Sequence, residues 1–244
     1  MRIHTVSPLL FHIIPWIPSR IVFWLFLSFK VCGLEHLKKV HHQNVLFAAN
    51  HANDLDPIVF QYALPFFSRF TPLYFVALAK EGYSKEDFGW RSLVYGGFFF
   101  RIMGAYPVYR GKRNFQLALQ HHIHLLEHGK SVLIFPEGKE SKDGTMGEGK
   151  PGVVYLARKT QTPIVPVHIE GTYKLSIKNF LLRRNKVTIT FGEPVQLANI
   201  IHHDEENSEE FSEQARDIMR RIAALKGYRA EKASLGYKGA YVGN

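Results

Sequence analysis

Cysteine is almost absent: Cys32 is the only one in 244 residues. That excludes an intramolecular disulfide and a thiolate metal cluster. Acidic residues are scarce beside basic ones, with Asp and Glu totalling 21 against 31 Lys and Arg, and the formal net charge is +10. Such a balance implies anionic partners: nucleic acid, phosphorylated small molecules or an anionic membrane surface. Aromatic RNA-binding and zinc-finger patterns are missing, so no nucleic-acid partner is expected. Repeats and long linkers are missing too. No uninterrupted apolar run reaches the ~20 residues of a spanning helix. No small-residue cleavage site follows the apolar N-terminus, so a removable signal peptide is not expected.

What is present begins with PLLFHIIPWIPSRIVFWLFLSF, Pro8 to Phe29, interrupted by His12, Pro15, Pro18 and Arg20. Two short helical segments broken at the prolines suit the membrane interface, with Trp16, Trp24, Arg20 and Lys30 at headgroup depth. A buried core helix is the plain alternative, and a tilted spanning segment from Leu9 onward stays open. Residues 1–33 are therefore read as a membrane-anchoring segment. Residues 34–227 read as one α/β domain with a central mixed sheet flanked by helices, and 228–244 as a loose tail.

Within the domain, Val45–Ala49, Leu73–Ala79, Ser131–Phe135, Pro163–Ile169 and Val187–Phe191 are strand candidates. Asp56 is expected to cap a helix with Pro57 at its first position. Asn114 is expected to cap a helix running to Gly129. Asn207 opens a last helix, with Phe211, Ala215, Ile218, Met219, Ile222 and Leu225 on one face. Leu93–Met103 is apolar and suits lipid or core.

Four stretches can carry chemistry. NHANDLDP, Asn50 to Pro57, follows an apolar strand, so His51 sits where ligands meet α/β sheets. A histidine is a ready proton acceptor, and a carboxylate on its other nitrogen would orient it. Residues five apart share no helix face, so His51 and Asp56 meet only if the chain between them turns. Asp54 is a rival partner, and Asp56 as a mere helix cap is the plain alternative. GAYPVYRGKR places Arg110, Lys112 and Arg113 before a helix start, where Arg can grip a phosphate. FPEGKES ends a strand with Glu137, a costly buried charge unless paired, and Gly138, which allows close approach. TPIVPVHIEGT carries Pro163 and Pro166, and proline inside a central strand is rare, so an edge strand or a bend is expected.

In this order the four stretches resemble the motif blocks of the glycerolipid acyltransferases, the family that includes 1-acyl-glycerol-3-phosphate acyltransferase. Asn50, His51 and Asp56 match Asn-His-x4-Asp, and Arg110 matches the Gly-x-x-x-x-Arg-like block. Phe135, Pro136, Glu137 and Gly138 match Phe-Pro-Glu-Gly, and Pro166 the proline-centred block. VTITFGEPV is similar to the family's Phe-Gly-Glu-Pro strand. The resemblance runs from about Val45 to Val195. It implies that His51, oriented by Asp56, takes a proton from the acceptor hydroxyl of a lysophospholipid, expected to be 1-acyl-sn-glycerol-3-phosphate giving phosphatidate, which attacks the thioester of acyl-CoA or acyl-carrier protein; another lipid hydroxyl as acceptor, or a non-catalytic membrane-binding protein on the same fold, is the alternative. It implies no cofactor beyond that co-substrate and no acyl-enzyme. It implies acceptor binding by Arg110, Glu137, Gly138 and Lys139, support from Asn50, Pro136 and Pro166, and a monotopic enzyme on the cytoplasmic face of a membrane.

One departure stands out. The family usually follows Phe-Pro-Glu-Gly with Thr-Arg-Ser, whereas here Lys139, Glu140 and Ser141 follow. Either Glu140 turns away and Lys139, or Lys150 from the Gly-rich loop, faces the ligand, or the acceptor head group is less anionic. The first is the expectation. His121, His124 and His128 have zinc-compatible spacing, but no carboxylate or cysteine completes a signature, so no metal is expected.

Overall fold

The computed structural model describes residues 3–79, 98–109, 114–175, 177–197 and 208–227. The chain opens with helices α1 (Val6–Ile13) and α2 (Trp16–Phe26). The break falls at Pro15, whose ring clashes with a preceding helical turn. Pro18 lies in the first turn of α2, where its missing N–H would have had no helical partner. By length and composition the run Val6–Phe23 could cross a membrane. Its exposed apolar side chains include Val6, Leu10, Ile14, Ile17, Ile21 and Val22. The inner side is docked on protein: Trp16 Nε1 donates to the Leu64 carbonyl (3.2 Å) and Arg20 to the Tyr62 carbonyl (3.3 Å). Arg20, expected at headgroup depth, reaches backbone where α3 (Asp56–Ala63) ends beside α2.

Residues 28–32, read from the sequence as the end of the anchoring segment, form β1 (Ser28–Cys32). The remaining strands are β2 (Leu46–Ala49), β3 (Tyr74–Leu78), β4 (Ala105–Val108), β5 (Val132–Ile134), β6 (Ile164–Glu170) and β7 (Lys186–Phe191). They make one seven-stranded sheet in the order β1-β7-β6-β2-β5-β3-β4. β6, β2, β5, β3 and β4 run parallel, while β7 pairs antiparallel with β6 and parallel with β1. The sheet is therefore mixed, with helices on both faces, as expected.

β2 shows why. Its side chains alternate between two apolar layers: Val45, Phe47 and Ala49 pack with Val59 and Phe60 of α3. Leu46 and Ala48 face the other layer. That layer holds α5 (Phe115–Ala118), α6 (Gln120–Glu127), α7 (Gly152–Thr160) and α9 (Ser208–Ala224). A strand covered on both faces must be apolar throughout. α9 buries the face read from its spacing, Phe211 to Leu225.

Three local readings change. β6 is interior, not an edge. Pro166 is tolerated because its N–H position points toward β7 where that strand leaves the ladder: Val167 pairs with Phe191, yet Ile164 bridges Val195. One extra residue is accommodated there, and a bulge is where sheets accept proline. The helix capped by Asn114, whose side chain accepts from Leu117 N (3.1 Å), breaks at Leu119 into α5 and α6. Leu55, not Asp56, is the N-cap of α3. Of Leu93–Met103, only α4 (Phe98–Ile102) and Met103 are described. Asn207 and the tail from Tyr228 lie outside the described residues. A last short helix, α8 (Ile177–Leu181), precedes β7.

Candidate active site

The parallel strands point their C-terminal ends to one side, where α/β sheets receive ligands. β2 ends there at Ala49, and Asn50 follows. Its side-chain amide takes the place of one more strand residue: Nδ2 donates to the Ile169 carbonyl (2.8 Å) and Oδ1 accepts from Ile169 N (2.7 Å). The chain can therefore leave the sheet without orphaning β6, and the next residue is His51.

The turn that the spacing requires is present. Asp56 N donates to the Asn53 carbonyl (2.9 Å), and Leu55 N donates to the Asn53 side chain (3.0 Å). This brings the Asp56 carboxylate back over the loop. Its Oδ2 accepts from Ala52 N (2.7 Å), Asn53 N (2.9 Å) and His51 Nδ1 (3.0 Å). Asp56 is fully buried. A carboxylate only accepts, so Nδ1 carries the proton and Nε2 of neutral His51 is a bare acceptor. The His51 side chain is 17% exposed.

The Phe-Pro-Glu-Gly block grips the histidine from β5, the neighbour of β2 in the sheet. The Phe135 ring stacks on the imidazole at 4.1 Å between centroids and 17°. Glu137, buried, spends both oxygens on backbone: Oε1 accepts from His51 N (2.9 Å) and Oε2 from Gly147 N (2.8 Å). Ser141 N donates to the His51 carbonyl (2.9 Å). The Pro136 carbonyl accepts from Lys150 N (2.8 Å), which ties down the Gly-rich loop. Gly138 has φ +67, and a Cβ there would lie 2.9 Å from Lys150 Nζ. That glycine is needed for its left-handed backbone, and the flexible end of Lys150 packs on it.

The structure thus gathers Asn50, His51, Asp56, Pro136, Glu137 and Gly138 into one cluster. Pro166 lies in β6, beside β2, where it pairs with Ala48. Lys139 is exposed beside it. Arg110 lies outside the described residues. Glu140 does not turn away as expected: its Oε1 is 4.0 Å from His51 Nε2. The turn at Gly138 places Lys139 outward and swings the next side chain back over the imidazole. Phe135, Ser141 and Gly147 were not legible as partners of this loop, because those contacts depend on β5 lying beside β2. Among the histidines of α6, His122 is the fully buried one, its Nε2 bonded to the Tyr106 carbonyl (3.2 Å). Among the described residues, no three potential ligands converge on a metal site.

The chain is similar to known acyltransferases. The Acyltransferase family model matches residues 28–170. A 1-acyl-sn-glycerol-3-phosphate acyltransferase of Borreliella burgdorferi is 28% identical over 85% of this chain and 77% of that protein. Another, of Limnanthes douglasii, is 26% identical over 72% of this chain but only 57% of its own length. The crystal structure of the 1-acyl-sn-glycerophosphate acyltransferase PlsC from Thermotoga maritima superposes with a TM-score of 0.54. It is 25% identical, covering 85% of this chain and 76% of that one. The matched span begins at β1 and ends with β6, so it contains the whole histidine cluster, and the chain belongs to the Acyltransferase family.

Proposed function

We propose that this acyltransferase moves a fatty acyl group from a thioester of coenzyme A or acyl-carrier protein to the free hydroxyl of a lysophospholipid. 1-Acyl-sn-glycerol-3-phosphate, the acceptor in the relatives' names, is among its acceptors and gives phosphatidate. The observation that carries this reading is the His51–Asp56 contact at 3.0 Å, which puts the ring proton on Nδ1 and leaves Nε2 to accept.

The chemistry follows from that geometry. Nε2 takes the hydroxyl proton as the acceptor oxygen attacks the thioester carbonyl. The imidazolium formed is stabilised by Asp56 through Nδ1. Collapse of the tetrahedral intermediate breaks the carbon–sulfur bond, and the thiolate recovers the proton from Nε2. No protein acyl intermediate is formed. General-base assistance of this kind contributes about 10²–10⁴-fold. Arg110 binds the acceptor phosphate. Glu137 serves the acceptor by fixing the backbone on which His51 and the Gly-rich loop stand.

The exposed apolar side chains of α1 and α2, with Leu55 and Phe67 nearby in the chain's exposed surface, seat the enzyme monotopically in the membrane interface, on the cytoplasmic face. Lysophospholipids reside there, and the basic net charge favours anionic lipid. Purified protein given labelled acyl-CoA or acyl-carrier protein and a panel of lysophospholipids should form the diacyl product. The absence of any labelled lipid across the panel would refute the proposal.

A further inference from the structure

Between Glu170 and Glu193 the chain carries five basic residues and no acidic one. Lys178, Arg183 and Arg184, all exposed, fall at the turn from α8 (Ile177–Leu181) into β7 (Lys186–Phe191). The same turn exposes two leucines, Leu181 at 58% and Leu182 at 49%. Lys178 stands three and four residues before them, and Leu182 N still donates to its carbonyl (3.0 Å), so the three share one side of the helix. Exposed leucines among cations, without carboxylates, suit an anionic interface.

The turn is firmly built. Arg183 N donates to the Phe180 carbonyl and Arg184 N to the Asn179 carbonyl, both 3.0 Å, which closes the helix as a Schellman motif. Such a motif needs one left-handed residue, usually glycine, and here it is Arg183, with φ 56. Its side chain has a use there. Nε donates to the carbonyl of Leu25, in the last turn of α2, where carbonyls lack a helical partner. Beside it Phe26 stacks on Phe180, 5.2 Å between centroids and 25°. Ser28 N donates to the Asn185 carbonyl (3.1 Å). The turn is therefore locked to the end of α2. Ile17, Ile21 and Leu25 of that helix are exposed and spaced by four, so they form one side. That side ends at Leu25, the residue that Arg183 holds.

We propose that the turn from α8 into β7 is a second membrane-docking element, selective for anionic lipid. Leu181 and Leu182 enter the interface beside α2, and Lys178 and Arg184 meet lipid phosphates. Two leucines are too little surface for a stable protein partner, whereas they extend the apolar side of α2. Two helices alone leave the domain free to roll about them, and a second attachment fixes that rotation. The inference rests on the membrane seat proposed above for α1 and α2.

The test is vesicle binding by the full chain. Vesicles are phosphatidylcholine alone or an equimolar mixture with phosphatidylglycerol, and sedimentation gives the partition. Wild type should bind the mixed vesicles more tightly, and added salt should shrink the difference. Lys178→Gln with Arg184→Gln should lower binding to mixed vesicles about 25-fold, about fivefold for each basic residue, and leave neutral vesicles nearly unaffected. Leu181→Ser with Leu182→Ser should lower binding to both by about tenfold or more. Lys159→Gln with Lys226→Gln is the control of equal charge. Both lysines are exposed, on α7 and just after α9 in the opposite layer of the sheet, and screening should hold their effect below about twofold. Every side chain changed is exposed, so the variants should fold, and matched thermal unfolding checks this. Unaltered binding to mixed vesicles in either turn variant, or an equal loss in the control pair, would overturn the inference. A wild-type protein that binds neither vesicle would overturn the membrane seat of α1 and α2 as well, which separates that failure from a failure of this turn alone.

Discussion

The side chain of Asn50 and the backbone of Ile169 exchange two hydrogen bonds, of 2.8 and 2.7 Å, as two strand residues would. The histidine that follows is thereby placed at the edge of a completed sheet rather than on a free loop. Asn50→Ala should leave the buried N–H and C=O of Ile169 unpaired. The cost is about 1–3 kcal/mol for each group left unsatisfied. Thermal unfolding should shift downward, and kcat should fall with it. Unchanged stability would show that water or another group replaces the amide.

Asp56→Asn conserves size but removes the negative charge and puts an amide where the carboxylate accepts from three donors. We expect kcat to fall by about 10²–10⁴-fold with little change in the acceptor KM, since Asp56 acts through His51. A KM effect with kcat preserved would mean that the residue touches the acceptor.

Gly138→Ala introduces a Cβ at φ +67 and 2.9 Å from Lys150 Nζ. The left-handed backbone alone costs roughly 1–2 kcal/mol for a residue with a Cβ. Displacement of Lys150 should add a rise in acceptor KM. Steady-state kinetics and unfolding on the same preparation separate the two effects, and a variant normal in both would remove Gly138 from the site.

How far the sequence carried can be judged at this loop. The strand before His51 and the need for a turn to reach Asp56 were both visible, because apolar runs and five-residue spacing are local signals. The role of Asp56 in that turn was not. The Asp-Pro pair suggested a helix cap, but the carboxylate points backward to Ala52 and Asn53, and Leu55 is the cap. Glu137 and Glu140 were out of reach for a different reason. Their partners lie 86 and 89 positions away, and only the β2–β5 pairing brings them together. Pro166 shows the same limit, since its tolerance depends on where β7 departs. By contrast α9 was fully legible, because a periodic amphipathic helix declares its buried face without any partner.

The apolar surface of the first two helices should be separable from their packing. Replacing Ile14, Ile17 and Ile21 by serine removes exposed side chains and leaves the bonds of Trp16 and Arg20 to α3 intact. Vesicle sedimentation should weaken sharply while unfolding stays within about 0.5 kcal/mol, as for surface substitutions. Undiminished sedimentation would locate the membrane contact elsewhere.

Acid should destabilise the fold through His122. Burial lowers its pKa from 6.5 to about 4 in the folded chain. Between those values the unfolded state binds more protons, so stability is full above 6.5 and declines as pH falls toward 4. Unfolding measured across that window should show the slope, and His122→Gln should flatten it. An unaltered slope in the variant would assign the acid sensitivity to other groups.

In the proposed mechanism His51 abstracts the acceptor proton and the acyl group passes directly to the lipid. The most direct measurement is single-turnover transfer of a labelled acyl group from its thioester to a lysophospholipid, comparing wild type with a His51→Ala variant of matched unfolding temperature. The account predicts labelled diacyl lipid from wild type, no labelled protein at any time, and a loss of about 10²-fold or more in the variant. Label accumulating on the protein before the lipid, or a variant that transfers at nearly the wild-type rate, would contradict it.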